Sequence, residues 1–99
     1  MINHVVLFKF KAYPAEEKQE KLNQLKAALL GLKEKISELK HIEAGTNYEL
    51  ESKSYDLCLI THFETVADLK AYAVHPEHLK VVKLVKEFTE LRAAVDYEF

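Results

Sequence analysis

At 99 residues the chain has room for one domain, 1–99, and folding at that length hides only about two-thirds of the unfolded surface, so its core gains from association. A composition of 48% hydrophobic and 30% charged residues is that of a globular protein, and a formal net charge of −2 makes no electrostatic case for a nucleic-acid or anionic-membrane partner. No apolar run approaches the ~18 residues a membrane helix needs, and Met1 leads straight into a strand pattern with no leader segment, so the cytoplasm is the expected location.

Residues 2–10 (INHVVLFKF) predict a strand that is apolar on both sides, with His4, Val6, Phe8 and Phe10 on one and Val5 and Leu7 on the other. Next, Pro14 suits the first turn of a helix and Glu16 and Glu17 suit its positive end. Leu22, Leu25, Leu29, Leu32, Ile36 and Leu39 recur in steps of three and four, predicting one apolar stripe over five turns. Gly31 within it marks a bend or a close backbone contact. Residues 43–51 read as a more polar edge strand, and Ser52-Lys53-Ser54 as a turn. Residues 55–63 (YDLCLITHF) are again apolar on both sides, with Leu57, Leu59 and Phe63 opposite Cys58 and Ile60. Cys58, the sole cysteine, reads as a small buried hydrophobe rather than a redox group.

Thr65 and Asp68 form a capping box opening a helix that carries Leu69, Tyr72 and Ala73. Pro76 interrupts it and starts another, with Leu79, Val82, Leu84, Val85 and Phe88 inward, running to about Leu91. Residues 92–98 close as a last strand. The order β-α-β-β-α-β predicts a ferredoxin-like α+β sandwich with its helices on one face of a four-stranded antiparallel sheet. The other face, carrying Val5, Leu7, Cys58 and Ile60, then needs a second copy of the chain to cover it, making a homodimer.

The chemistry-bearing stretch is 72–78, YAVHPEH. His75 and His78 stand three apart, but no carboxylate or cysteine completes a ligand spacing and Pro76 breaks the helix that would align them, so no metal site is expected. His4, Val6, Phe8, Leu59 and Thr61 share the helix-covered side and are the candidate ligand-binding residues. Tyr72 and His78 come from the helices laid over them. Spacing alone leaves two readings of that pair open: packed, hydrogen-bonded residues, or an imidazole and phenol able to move a proton near neutral pH. His75 reads as a helix cap, His41 as a group at a helix C-terminus, and His62 as a hydrogen-bonding residue of the dimer face. Arg92 reads as a salt-bridged or solvated residue, and Asp96 and Tyr97 as fastening the closing strand.

HVVLFKFK at 4–11, LKHIEAGTN at 39–47, YDLCLITHFE at 55–64, LKAYAVHPEHLKVV at 69–82 and VDYEF at 95–99 together resemble the stress-responsive α/β-barrel domain family, called Dabb, over nearly the whole chain. The resemblance implies a dimeric α+β barrel in which two ferredoxin-like subunits press their bare sheet faces together. One relative, the plant olivetolic acid cyclase, closes a polyketide by aldol-type condensation with a Tyr-x-x-His-Pro-x-His string like that at 72–78. This implies that His78 could abstract a proton between two carbonyls with Tyr72 steering it. The expected function is therefore binding of a small, mostly apolar molecule, with no cofactor, no nucleic acid and no membrane. The alternatives are a Tyr72–His78 polyketide cyclase-like enzyme and a haem-dependent monooxygenase-like barrel.

Overall fold

The computed structural model describes residues 1–50 and 53–99. Its elements run β1 (Ile2–Phe10), α1 (Ala15–Leu30), a 3-10 turn (Gly31–Glu34), β2 (His41–Thr46), β3 (Leu57–Phe63), α2 (Val66–Val74), α3 (Pro76–Phe88) and β4 (Thr89–Glu98). The sheet has the order β2-β3-β1-β4, and every neighbouring pair is antiparallel. This is the ferredoxin-like α+β fold, with the crossover helices on one face.

Alternation along β1 and β3 sorts the side chains as the pattern requires. Val6, Phe8, Phe10, Leu57, Leu59 and Phe63 are buried beneath the helices together with Leu22, Leu25 and Leu29 of α1. Val5, Leu7, Cys58 and Ile60 point the other way and are half-buried or exposed. No helix covers them, and β4 extends the bare apolar surface with Ala93 and Val95, which line one shallow depression with Val5 and Leu7. On that face His62 stacks on His41 and meets Phe99 at a tilt, with ring centroids 4.6 and 4.7 Å apart. Burial and the Glu43 carboxylate hold the Cys58 thiol above its ordinary 9.0, which keeps it protonated at neutral pH.

Several boundaries differ from the sequence reading. The first helix ends at Leu30 and tightens into the 3-10 turn at Gly31, so Ile36 and Leu39 reach the core from an irregular stretch. Gly31 marks the change of winding and not a close contact, since nothing lies within 4 Å of where its Cβ would sit. Pro14 caps α1 from just outside, while Glu16 and Glu17 occupy its first turn. The second strand spans His41–Thr46 rather than 43–51, at the sheet edge as expected; residue 51 and Ser52 of the expected turn lie outside the described residues. Consequently His41 opens a strand, its Nε2 3.1 Å from Glu43 Oε1, and is not a helix-end group. β3 begins at Leu57 rather than 55. In α2 Ala73 is exposed. In α3 Val81 and Phe88 are the fully buried residues and Leu79 is exposed, because the helix presents the 81-85-88 stripe rather than one through Leu79. That helix stops at Phe88, and β4 begins at Thr89 instead of 92.

Two polar residues among those described, Thr61 and Asp56, are buried in the apolar layer. Asp56 is buried, accepts the Phe10 backbone N–H at 2.7 Å and pairs with Lys18 Nζ at 3.0 Å. It thereby ties the segment entering β3 to the end of β1 and to the start of α1. Removing one partner of such a pair leaves the other charge and a backbone donor unsatisfied. Asp56→Ala is therefore expected to lower unfolding free energy by about 3 kcal/mol, measured by urea denaturation at neutral pH; a loss within error would mean the pair is solvated.

Candidate functional site

The site is built by the break between α2 and α3. Thr65 caps α2 by accepting the Asp68 N–H at 3.1 Å, as the capping pattern predicts. At the other end His75 leaves the helical region (φ −63°, ψ 135°), as a residue before proline must, and Pro76 starts α3. His75 spends its ring on this junction, with Nδ1 accepting the Glu77 N–H at 3.1 Å. The sharp turn folds the first turn of α3 back onto the last turn of α2. Tyr72 and His78 meet there with ring centroids 4.3 Å apart, and His4 of β1 stands edge-on to Tyr72 at 6.5 Å.

A cavity of about 260 Å³ lies beneath them, between sheet and helices. Its sheet wall is His4, Val6, Phe8 and Leu59, and Leu29 of α1 closes one side. Tyr72, His78, Val81, Val82 and Val85 form the helical wall, and Lys86 and Arg92 complete the lining. Of the candidate ligand-binding residues, His4, Val6, Phe8 and Leu59 line this space. Thr61 does not: it is fully buried and its Oγ1 donates to the His4 carbonyl at 3.3 Å, which consumes it structurally. Arg92 was expected to be salt-bridged or solvated; it is exposed, makes no ion pair among the described residues, and lines the cavity. The register of β4 on β1 sets Arg92 opposite Phe8 and Asp96 opposite His4, hence on the helix-covered side. Tyr97 fastens the closing strand by accepting from Asn3 Nδ2 at 2.8 Å.

The protonation pattern follows from the hydrogen bonds. His78 Nδ1 lies 3.1 Å from the Ala73 carbonyl, which can only accept. In the neutral ring the proton therefore sits on Nδ1, leaving Nε2 as a free base. Burial pushes the His78 pKa below its ordinary 6.5, the Ala73 bond opposes this, and the charges of His4, Arg92 and His75 reinforce it. Tyr72 is fully buried and its hydroxyl has no partner among the described residues. Burial pushes its pKa up to about 12 although the Arg92 charge pulls the other way, so the hydroxyl keeps its proton at neutral pH. His4 Nδ1 pairs with Asp96 Oδ1. Thus Tyr72, with its protonated hydroxyl, and the neutral imidazole of His78 both belong to the lining of a mostly apolar hollow. No cluster of three or more His, Cys, Asp or Glu suited to a metal ion occurs among the described residues, and no helix among them is long and apolar enough to cross a membrane.

The chain belongs to the stress-responsive A/B barrel domain family, whose model matches residues 2–99. It is similar to a dimeric protein of unknown function and ferredoxin-like fold from Bacteroides fragilis, with 40% identity, 99% of this chain and 95% of that one covered, and a TM-score of 0.91. The stress-response A/B barrel domain-containing protein DABB1 of Arabidopsis thaliana is 26% identical over 102 residues, covering 98% of this chain and 46% of that protein. This chain thus spans less than half the length of that relative. A hydroxynitrile lyase from Passiflora edulis, 20% identical with a TM-score of 0.81 over 97% of this chain and 90% of its own, shares the fold.

Because the folded His78 binds its proton less readily than the unfolded chain does, its contribution to stability is complete above about pH 6.5 and is lost as the pH falls below that value. Unfolding free energy is expected to fall more steeply from about pH 7.5 to about pH 5.5 in the native protein than in His78→Gln. Parallel pH profiles from urea denaturation would show that His78 is not held neutral.

Proposed function

We propose that this stress-responsive A/B barrel protein acts as a cytoplasmic homodimer, each subunit binding a small, mostly apolar molecule in the cavity between sheet and helices. The observation that carries the reading is the Tyr72 hydroxyl, buried without a partner beside that cavity. An unmade hydrogen bond on a buried group costs roughly 1–3 kcal/mol, and a ligand oxygen accepting from Tyr72 would recover it. The valines, Leu29, Leu59 and Phe8 supply the apolar surroundings that make such a contact strong.

The Tyr72–His78 contact favours an enzymatic version of the same reading, related to polyketide cyclisation. His78 Nε2 would take a proton from the carbon between two carbonyls of a bound substrate. Tyr72, protonated because its pKa stands near 12, would donate a hydrogen bond to the enolate oxygen as charge develops there. Carbon–carbon closure by the enolate onto a second carbonyl would complete an aldol-type step, and the imidazolium would return its proton to the alkoxide. A haem-dependent reaction is disfavoured by size: the hollow is smaller than the roughly 300–1,000 Å³ of pockets that enclose drug-sized ligands, and a porphyrin needs more.

These readings are tested together by calorimetric titration with 1-octanol and by hydrogen–deuterium exchange of a 1,3-dicarbonyl probe. Octanol is expected to bind one molecule per subunit, and Val82→Trp, which fills the cavity, to abolish it; octanol binding undiminished by that substitution would sink the binding reading. His78→Gln is expected to keep octanol affinity and Tyr72→Phe to weaken it about fivefold or more by removing the hydroxyl contact, and both to lower catalysed exchange by about 100-fold or more. Exchange no faster than in buffer would remove the enzymatic version and leave the binding one.

The dimer is proposed through the bare sheet face of Val5, Leu7, Cys58 and Ile60. Its support is an apolar surface that the chain's own helices leave uncovered, and the dimeric state of the Bacteroides relative. A stable pair would bury about 800 Å² per subunit. Leu7→Asp or Ile60→Asp is expected to give aggregated or unfolded protein in sedimentation velocity, and a folded monomer from native protein or variant would count against this face as the interface.

A further inference from the structure

We infer that the molecule this cavity takes is a monocarboxylate, an apolar body of roughly ten heavy atoms whose carboxylate is held by Arg92 and Lys86. The inference rests on the binding reading above and adds the ligand's charge and size. Arg92 sits on the helix-covered side of β4, opposite Phe8, and Lys86 in the last turn of α3; both line the hollow and both are exposed.

Neither cation has an ion-pair or hydrogen-bond partner among the described residues. Several other lysines do, Lys18 with Asp56, Lys35 and Lys80 with Glu77, and Lys40 with Glu64, whereas Lys26, Lys33, Lys70 and Lys83 have none among the described residues either but do not line the cavity. No carboxylate lines the cavity, and the one beside it on the same strand face, Asp96, is engaged by His4. A chain with a net charge of −2 therefore places two uncompensated positive charges against an otherwise apolar hollow. The Arg92 charge is also felt at both Tyr72 and His78, so it acts on the cavity interior and not only on solvent.

A guanidinium presents a planar fork of N–H donors that matches a carboxylate with two parallel hydrogen bonds, and the ammonium of Lys86 adds a second charge. The apolar walls would take the hydrocarbon body. At the ~30 Å³ a water molecule occupies in the liquid, 260 Å³ is the room of roughly nine waters, which sets the body at an eight-carbon chain or a substituted ring.

The test compares octanoate with 1-octanol, which share a body and differ in the charged end, by titration calorimetry on the full chain in low salt. Octanoate is expected to bind about tenfold or more tightly than octanol, and added salt to erode that difference. Arg92→Gln together with Lys86→Gln should erase the preference, so that the variant binds octanoate no more tightly than it binds octanol. Both side chains are exposed, so these variants keep the fold, which their circular dichroism and urea midpoint verify. Equal affinity of the two compounds for native protein would overturn the carboxylate inference while leaving the apolar site intact. A preference that survives the double substitution would overturn the assignment to Arg92 and Lys86. Failure of both compounds to bind would overturn this inference and the binding reading together.

Discussion

A sheet whose strands are apolar on both sides, with helices enough to cover one side only, is the constraint from which the rest of this molecule follows. On the covered side, burial of Val6, Phe8, Leu57, Leu59 and Phe63 against α1, α2 and α3 supplies the core. On the other, Val5, Leu7 and Ile60 with β4's Ala93 and Val95 leave a surface that water solvates poorly. The same two-sidedness locks strand register. A slip of one residue in β1 would carry His4 and Arg92's partner Phe8 to the bare face and empty the site.

The site exists because the covered layer is not packed to completion. Where α2 gives way to α3 the chain cannot remain helical, since Pro76 has no N–H to give and pushes His75 into an extended conformation. The chain therefore continues as two shorter helices, and their junction presents Tyr72 and His78 side by side. Three histidines in this region thus take three roles from their hydrogen bonds. His75 accepts as a cap, His78 donates from Nδ1 to Ala73 and keeps a free nitrogen, and His4 is held by Asp96. Similar residues in sequence become different groups in space.

Much of this was legible from residues alone. Alternation in 2–10 and 55–63 reports on both faces of the sheet, because side chains in a strand project with a period of two whatever the partner. The Thr65–Asp68 cap and the Pro76 break are equally local and appear as read. The apolar stripe of 22–39 correctly marked buried residues but overstated the helix, since Ile36 and Leu39 point inward from an irregular segment that periodicity cannot tell from a helix. In α3 two stripes compete in a run rich in valine and leucine, and only the sheet beneath chose the one through Val81.

Arg92 shows where local reading ends. Its role depends on β4 pairing with β1 in a register that sets it opposite Phe8, a contact between residues 84 positions apart that no local pattern encodes. Thr61 shows the converse: its parity places it on the covered side, yet a hydrogen bond to the His4 carbonyl withdraws it from the cavity. By itself, then, the sequence determined the element order, the sorting of residues to the two faces, and the Tyr-His-His string at the helix junction, because each arises from the geometry of neighbouring residues. Tertiary structure alone decided which of those side chains face one another across empty space, and that Lys86 and Arg92 stand uncompensated beside them, because such distances are set by the register and packing of elements far apart in the chain.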